Sequence, residues 1–140
     1  MKKIVITGVS SGIGFSTAKR LVQNGNLVFG SLRNKKDAKK IKQELGKNFE
    51  PIILDVTDID SINKAVSLVA QKVGGDGIDA LINNSGIAKG GPILELDIEV
   101  FKDQFEVNFF GLINITKAFS HLLGAYKDAP KRGKIIMISS

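Results

Sequence analysis

The sequence predicts an α/β fold with a doubly wound parallel sheet, and three observations lead to this prediction. Short apolar runs alternate with stretches of helical periodicity along the whole chain. The apolar runs contain almost no polar residues, which indicates strands that are buried on both faces. Glycines close several of the helical stretches. Strands buried on both faces and joined by helices are typical of a parallel sheet with a helical layer on each side.

The chain carries apolar runs that predict five strands. The first helical stretch ends at Asn24-Gly25. A later one begins at Thr57, which we expect to cap the helix with Asp60 three residues on, and it ends at Gly74. The last connection is long and mostly helical. The predicted strands cover residues 4–6, 27–29, 51–54, 80–82 and 135–138.

Composition excludes several classes of protein. A chain of 140 residues with 43% hydrophobic content can bury one core, so we expect one domain over residues 1–140. It has no cysteine and a single histidine, His121, so we expect neither a disulfide nor a metal site. The N-terminal apolar run, Ile4 to Ile6, is too short for a secretory signal or for a membrane span of about 20 residues. We therefore expect a cytoplasmic protein that binds no membrane.

The formal charge of +6 is concentrated in one segment. Residues 33–47 contain seven basic and two acidic residues, which account for nearly the whole imbalance. Ala38, Ile41 and Leu45 lie at helical spacing within it, so the segment predicts an amphipathic helix with a solvated, lysine-rich face. Nucleic-acid binding is the weaker interpretation, because no aromatic residues are interleaved with the charge. We expect no nucleic-acid partner.

A glycine-rich stretch, TGVSSGIG, joins the first strand to the first helix. Gly8 allows a tight turn with positive φ, Gly12 allows a phosphate to approach the backbone, and Gly14 allows the helix to lie close. The free N–H groups and the dipole of that helix would face the anion. The spacing differs from the usual G-x-G-x-x-G fingerprint, and a plain strand-to-helix turn is the alternative. Its position in the α/β alternation favours a dinucleotide site.

This stretch is similar to the TGxxxGIG loop of the short-chain dehydrogenases/reductases. Four further stretches follow in that family's order: LDVT at 54–57, NNSG at 83–86, VNFFG at 107–111 and IIMISS at 135–140. Ser85 stands where the family usually has alanine. The resemblance covers all 140 residues. It implies a Rossmann-like NAD(P)-binding domain with strand order 3-2-1-4-5.

The resemblance also implies site residues. Asp55 and Val56 would lie at the adenine, although Asp55 could simply begin a helix. Asn83 would tie neighbouring strands together. Asn108 would hold a water in the active site, or alternatively be a satisfied core amide, and Ser140 would be the catalytic serine. The expected cofactor-binding residues are Gly8, Ser10, Ser11, Gly12, Ile13, Gly14, Arg33, Asp55, Val56, Asn84 and Gly86.

The end of the second strand predicts which cofactor is bound. NAD binding uses an acid about 20 residues after the glycine loop, whereas an arginine suits the 2′-phosphate of NADP. Here Leu32 stands at the expected position with Arg33 beside it, and the first acid afterwards is Asp37, inside the next helix. We therefore expect NADP rather than NAD.

The family's reaction is hydride transfer between the nicotinamide and a carbonyl or secondary alcohol carbon, with a Tyr-x-x-x-Lys pair as acid/base. That pair would fall beyond Ser140. Tyr126 is the only tyrosine, and it precedes the serine strand, so we do not expect it to be catalytic. The chain is expected to be the incomplete N-terminal part of an oxidoreductase without its sixth and seventh strands, or a natural short form that binds nucleotide without turnover. The resemblance implies a small-molecule substrate and a homo-oligomeric parent.

Overall fold

The computed structural model describes residues 1–139, which build one parallel sheet between two helical layers. The strand order is β3-β2-β1-β4-β5, which confirms the predicted order. The strands β1, β2 and β4 are longer than predicted by one, three and one residues. The strand β3 begins two residues and ends one residue earlier than predicted, and β5 begins and ends one residue early. The strands are β1 (Lys3–Ile6), β2 (Leu27–Leu32), β3 (Phe49–Ile53), β4 (Ala80–Asn83) and β5 (Lys134–Met137).

The helices follow the predicted stretches with two differences. The cap of α3 is Asp58 and not Thr57, because the Asp58 carboxylate accepts hydrogen bonds from the N–H groups of Asp60 and Ser61 at 2.9 and 3.2 Å. The long last connection contains a π-helical turn, Glu106–Gly111, which the periodicity did not predict. The helices are α1 (Gly12–Gln23), α2 (Lys35–Leu45), α3 (Ile59–Val73), α4 (Ile98–Phe105) and α5 (Leu112–Phe119).

Each face of the sheet is buried by a different pair of helices, because successive strand residues point to opposite faces. Val5 and Phe29 contribute to the core beneath α3 and α5, where Phe119 is fully buried. Ile4 and Ile6 contribute to the core beneath α1 and α2. This burial on both faces explains why the strands read as continuous apolar runs.

The position of β1 determines where a ligand can lie. It pairs with β2 on one side and with β4 on the other, so that Ile4 lies opposite both Val28 and Ala80. The chain runs outward from β1 through β2 to β3 and then crosses back to β4. The loops after β1 and β4 therefore diverge at the carboxyl ends of neighbouring strands, which is where open parallel sheets bind ligands.

The edge strand β5 is far less buried than the rest of the sheet. Ile135, Ile136 and Met137 are 46%, 43% and 46% exposed, whereas Val5, Val28 and Leu81 are fully buried. Phe105 of α4 and Phe109 of the π-helical turn are also more than half exposed. No charged residue interrupts the apolar run from Ile135 to Ile138. An apolar edge of this kind is a template for pairing with another chain.

We expect the 140-residue chain expressed by itself to self-associate through β5. Replacing Ile136 with lysine places a charge in the edge and should shift the protein toward monomer in sedimentation experiments. Ile59→Lys, which adds the same charge at an exposed position of α3, should leave self-association unchanged. A monomeric wild-type chain at tens of micromolar would contradict the expectation.

Candidate cofactor-binding site

A cleft of about 490 Å³ opens at the carboxyl ends of the strands. It is lined by residues from the loops that follow β1, β2, β3 and β4, together with Val107 of the π-helical turn. Of the eleven predicted cofactor-binding residues, ten line this cleft, and Gly12 lies in a neighbouring depression that shares Ser10 and Ser11 with it. The ten are Gly8, Ser10, Ser11, Ile13, Gly14, Arg33, Asp55, Val56, Asn84 and Gly86.

The glycine loop is shaped by close contacts that only glycine permits. Gly8 has φ +71°, as predicted, and a Cβ there would lie 2.9 Å from the Ser85 hydroxyl. A Cβ on Gly14 would collide with the carbonyl oxygen of Gly8 and with the amide of Asn84. Gly14 therefore allows α1 to begin directly against the glycine loop. A Cβ on Gly12 would have nothing within 4 Å, so the backbone at the start of α1 is open to a ligand.

Buried side chains hold this loop in place from two sides. The Ser31 hydroxyl in β2 accepts the N–H of Gly8 at 2.9 Å, and the Ser31 carbonyl accepts the N–H of Val9 at 3.0 Å. The Thr7 hydroxyl accepts the N–H groups of both Asn84 and Ser85, each at 2.9 Å. Thr7 and Ser31 are only 1% and 2% exposed. Water cannot easily replace these bonds, so the loop is fixed relative to β2 and β4.

The two asparagines after β4 both make structural contacts. Asn83 donates from its side-chain nitrogen to the Thr116 hydroxyl at 3.0 Å and thereby joins β4 to α5. Asn84 donates from its side-chain nitrogen to the carbonyl oxygens of Thr7 and Gly8, each at 2.9 Å. Both N–H bonds of that amide are thus occupied, and Oδ1 is its remaining polar atom. Asn84 ties the β1 and β4 loops together. Asn83 also contacts the neighbouring strand β5, with its side-chain nitrogen 3.3 Å from the Met137 sulfur, which agrees with its expected role of tying strands together.

The amino end of α1 differs from the other helices that begin from a loop. Asn34, Asp58 and Asp97 each accept a backbone N–H at the start of α2, α3 and α4, respectively. Ser11 makes no such side-chain bond, and the first turn of α1 contains no acidic residue. The N–H groups and the positive end of the helix dipole are therefore available for an anion. This end of α1 lies at the cleft.

The end of the cleft formed by β2 and β3 carries one cation and one anion. Asp55 accepts hydrogen bonds from the backbone N–H and the hydroxyl of Thr57 at 2.9 and 2.7 Å. The bond from the Thr57 N–H, and next the bond from its hydroxyl, hold the pKa of Asp55 below its usual value. Burial opposes them, and the charge of Arg33 adds the smallest lowering effect. Asp55 is therefore ionised at neutral pH. Oδ1 receives both bonds, so Oδ2 can accept a hydrogen bond from a ligand.

The end of β2 contributes no carboxylate to the cleft within the described residues. Leu32 is 2% exposed and lines the cleft through an apolar side chain. Asp37 is bound to the start of α2, where it receives a hydrogen bond from the Asn34 side chain at 2.8 Å and its own N–H donates to Asn34. Arg33 is exposed, lines the cleft and forms no ion pair within residues 1–139.

Asn108 lies on the π-helical turn and contacts the segment after β4. Its Oδ1 accepts the N–H of Ile87 and its Nδ2 donates to the Ile87 carbonyl, both at 2.8 Å. The residue is exposed, so the alternative of a buried core amide is wrong. Its predicted role with an active-site water stays a prediction.

The other predicted catalytic residue, Ser140, lies outside the described residues. Tyr126 stacks on His121, with ring centroids 4.7 Å apart, in the connection that precedes β5. That connection enters β5 at Lys134, opposite Ala80 at the start of β4. Tyr126 is therefore at the end of the sheet opposite the cleft, as the sequence had indicated.

Sequence reasoning missed Thr7, Ser31 and Gln104. Thr7 and Ser31 had one available signal, since each is a hydroxyl within an otherwise apolar strand region. Buried hydroxyls of this kind are normally hydrogen-bonded, so they indicate a partner in a neighbouring loop. Gln104 had no signal, because its partner is the backbone of Lys89.

The comparisons with known proteins agree with this geometry. A profile described as short chain dehydrogenase matches residues 2–140, so the chain belongs to the short chain dehydrogenase family. A relative from Ornithobacterium rhinotracheale, NADPH-dependent 3-dehydrocapnine reductase, is 42% identical over 140 residues, which are 100% of this chain and 50% of the relative. The chain spans about half the length of the curated relatives it matches. No helix within residues 1–139 is long and apolar enough to cross a membrane.

Two further comparisons point to the same class. The 3-ketodihydrosphingosine reductase of Bacteroides thetaiotaomicron is 37% identical over 137 residues, covering 98% of this chain and 46% of that protein. The crystal structure of a variant actinorhodin polyketide ketoreductase with NADPH matches this chain with a TM-score of 0.88 at 30% identity. That match covers 99% of this chain and 53% of the other. The resemblance expected from the motifs is thereby confirmed.

We expect Thr7→Val to destabilise the fold through the loop contacts. The change keeps the shape but leaves the buried N–H groups of Asn84 and Ser85 without their acceptor, which should cost about 2 kcal/mol or more in urea unfolding. Thr7→Ser keeps the oxygen and loses one methyl group, so it should cost only about 1 kcal/mol. Equal losses in the two variants would mean that the hydroxyl bonds contribute nothing.

Proposed function

We propose that this chain is the cofactor-binding part of an NADP-dependent oxidoreductase, folded as a Rossmann-like domain over residues 1–140. The observation that carries the proposal is the cleft, where an uncapped helix start, a glycine loop and Arg33 meet. Bound NADPH would supply a hydride to a carbonyl carbon, or NADP would receive one from a secondary alcohol. We further propose a cytoplasmic protein that acts as a homo-oligomer.

The residues present fit this cofactor. The start of α1 would receive the pyrophosphate, since its N–H groups lack a side-chain cap and Gly14 brings the helix against the loop. Asp55 would accept a hydrogen bond from the adenine amino group through Oδ2. Val56 is 8% exposed and packs beside Gly111, so it would offer an apolar wall to the base. Asn84 and Gly86 would lie beside the ribose on the β4 side.

The preference for NADP over NAD rests on charge. Arg33 lines the cleft, while the acids Asp37 and Glu44 of α2 line the neighbouring depression, and Asp37 is held there by Asn34. A 2′-phosphate would gain a charge-assisted contact with Arg33, and NAD would find no carboxylate from β2 for its 2′-hydroxyl. A relative named as NADPH-dependent and a structural neighbour solved with NADPH support the same choice.

For the substrate we propose a ketone with its carbonyl at carbon 3. Two relatives are named as reductases of 3-dehydrocapnine and of 3-ketodihydrosphingosine. Both names state an oxidised carbon at position 3, so the chemistry that they share is reduction of a ketone there. Ile93 and Leu94, which follow β4 along the chain, are 75% and 96% exposed and would suit contact with an apolar part of such a substrate.

A second candidate is a nucleotide-binding module without turnover. Within residues 1–139, Tyr126 is the only tyrosine, it lies at the far end of the sheet, and Pro130 stands four residues after it where a lysine would be needed. This observation favours the second candidate for the 140-residue chain by itself. It does not conflict with catalysis by a longer protein that contains the chain.

Arg33→Ala should weaken NADPH binding by about 10- to 150-fold, which is the loss of a charge-assisted contact of roughly 1.5–3 kcal/mol. NADH binding should change little, because NADH has no 2′-phosphate. Fluorescence titration of both cofactors measures the difference. Lys39→Ala is the matched control, since Lys39 is exposed on α2 and lines no part of the cleft. Equal affinity of the unmutated protein for the two cofactors would refute the NADP proposal.

The 140-residue chain should bind NADPH but show no NADPH oxidation with 3-ketodihydrosphingosine, since its only tyrosine is at the wrong end of the sheet. A protein of about twice this length that begins with this sequence should oxidise NADPH with that ketone. The same assay without the ketone serves as control and should show no NADPH oxidation. Turnover by the 140-residue chain would show that the acid/base has been misplaced.

A further inference from the structure

We propose that Gln104 is a positioning residue that acts together with Asn108 as a clamp on the segment after β4. The clamp consists of the side chains of Gln104 and Asn108, and the clamped segment is residues 87–89. Its function would be to fix the wall of the cleft on the β4 side. The proposal rests on the proposed cofactor site and extends it to a residue that does not line the cleft.

The contacts of the two amides are equivalent. Gln104 accepts the N–H of Lys89 through Oε1 and donates to the Lys89 carbonyl through Nε2, both at 3.0 Å. Asn108 makes the same pair of bonds with the backbone of Ile87 at 2.8 Å. Each amide thus engages both backbone polar groups of one residue, as a neighbouring strand would do.

The spacing of the two pairs follows from the geometry of helices and strands. Gln104 lies in the last turn of α4, and Asn108 lies in the π-helical turn that follows, about one helical turn further along the chain. Their partners Lys89 and Ile87 are two residues apart on the facing segment. The helix that carries Gln104 and Asn108 can therefore bind Lys89 and Ile87 at the same time, with the two chains running in opposite directions. Both amides can form two hydrogen bonds only when the helix and the segment are aligned in this way.

The clamped segment continues directly into the cleft. Ile87 lines the cleft, and so does Val107, which precedes Asn108. A Cβ on Gly86 would lie 3.3 Å from the Asn108 side-chain oxygen, so the helix and the segment are in close contact there as well. Movement of residues 87–89 would move Gly86 and Ile87, and with them the wall that faces the nicotinamide half of the cofactor. Arg33 and Asp55 lie across β1 from this wall and would be unaffected.

The contacts surrounding the clamp do not replace it. Lys89 and Asp103 form an ion pair at 3.1 Å, but both side chains are more than half exposed, so the pair contributes little. The bonds from Gln104 are directed at the backbone, and they place the segment whatever side chain position 89 carries.

The test compares two ligands on the 140-residue chain with Gln104→Met, which keeps the length of the side chain and removes its hydrogen bonds. Amide exchange of Lys89 should accelerate about 5-fold, and NADPH affinity should fall by a similar factor, as expected for roughly 1 kcal/mol. Affinity for adenosine 2′,5′-bisphosphate, which lacks the nicotinamide half, should not change. Gln43→Met on α2, an exposed residue away from the cleft, is the control.

Each outcome decides a separate question. Unchanged exchange at Lys89 would refute the clamp, and so would an equal loss of affinity for both ligands, because that indicates a general loss of structure. Faster exchange with unchanged NADPH affinity would refute the positioning role. If the unmutated chain binds neither ligand, the proposed cofactor site fails, while the exchange measurement still tests the contact between Gln104 and Lys89.

Discussion

The hydrogen bonds between the β1 and β4 loops are the constraint on which the site depends. Thr7 accepts two N–H groups from the β4 loop, and Asn84 returns two donors to the β1 loop. These four bonds lie at the point where the chain diverges on either side of β1. Because Thr7 is buried, breaking its bonds would leave its hydroxyl without a partner or water. These bonds hold the glycine loop in place without a ligand, so little conformational entropy would be lost if a ligand bound there.

Much of the fold could be predicted because the sheet is buried on both faces. The apolar runs that form β1, β2 and β4 must be hidden from water, and only a parallel sheet between two helical layers hides them. The residue that caps a helix was less predictable where two neighbouring residues could both act as the cap. Thr57 and Asp58 are both good helix caps, and Asp58 is the cap because its carboxylate reaches two N–H groups. A π-helical turn contains about one residue more than an α-helical turn. The spacing of apolar residues alone does not show where this extra residue is inserted.

A site residue was predictable where the contact requires a particular residue type. It was unpredictable where the side chain binds the backbone of another residue. Gly8 and Gly14 are needed because any Cβ would collide, so their spacing carries information. Gln104 binds the backbone of Lys89, and no residue type at position 89 is required by that contact. Asn83 and Asn84 are adjacent amides that only the family resemblance distinguishes in the sequence. The geometry adds that Asn84 joins the two loops and that Asn83 joins β4 to α5 and β5.

The two ends of the cleft differ in the charge that they present to a ligand. At the β2 end, Arg33 and the lysines of α2 create a positive potential, and Asp37 is withdrawn from it by its bond with Asn34. The uncapped start of α1 adds the positive end of a helix dipole in the middle. At the β4 end, Gly86 and Ile87 offer backbone and apolar surface, held by amides without charge. A ligand with phosphates at one end and a nearly neutral ring at the other matches this order. In the proposed site these charges would orient NADPH along the cleft, and the hydrogen-bonded wall on the β4 side would set the position of its nicotinamide half.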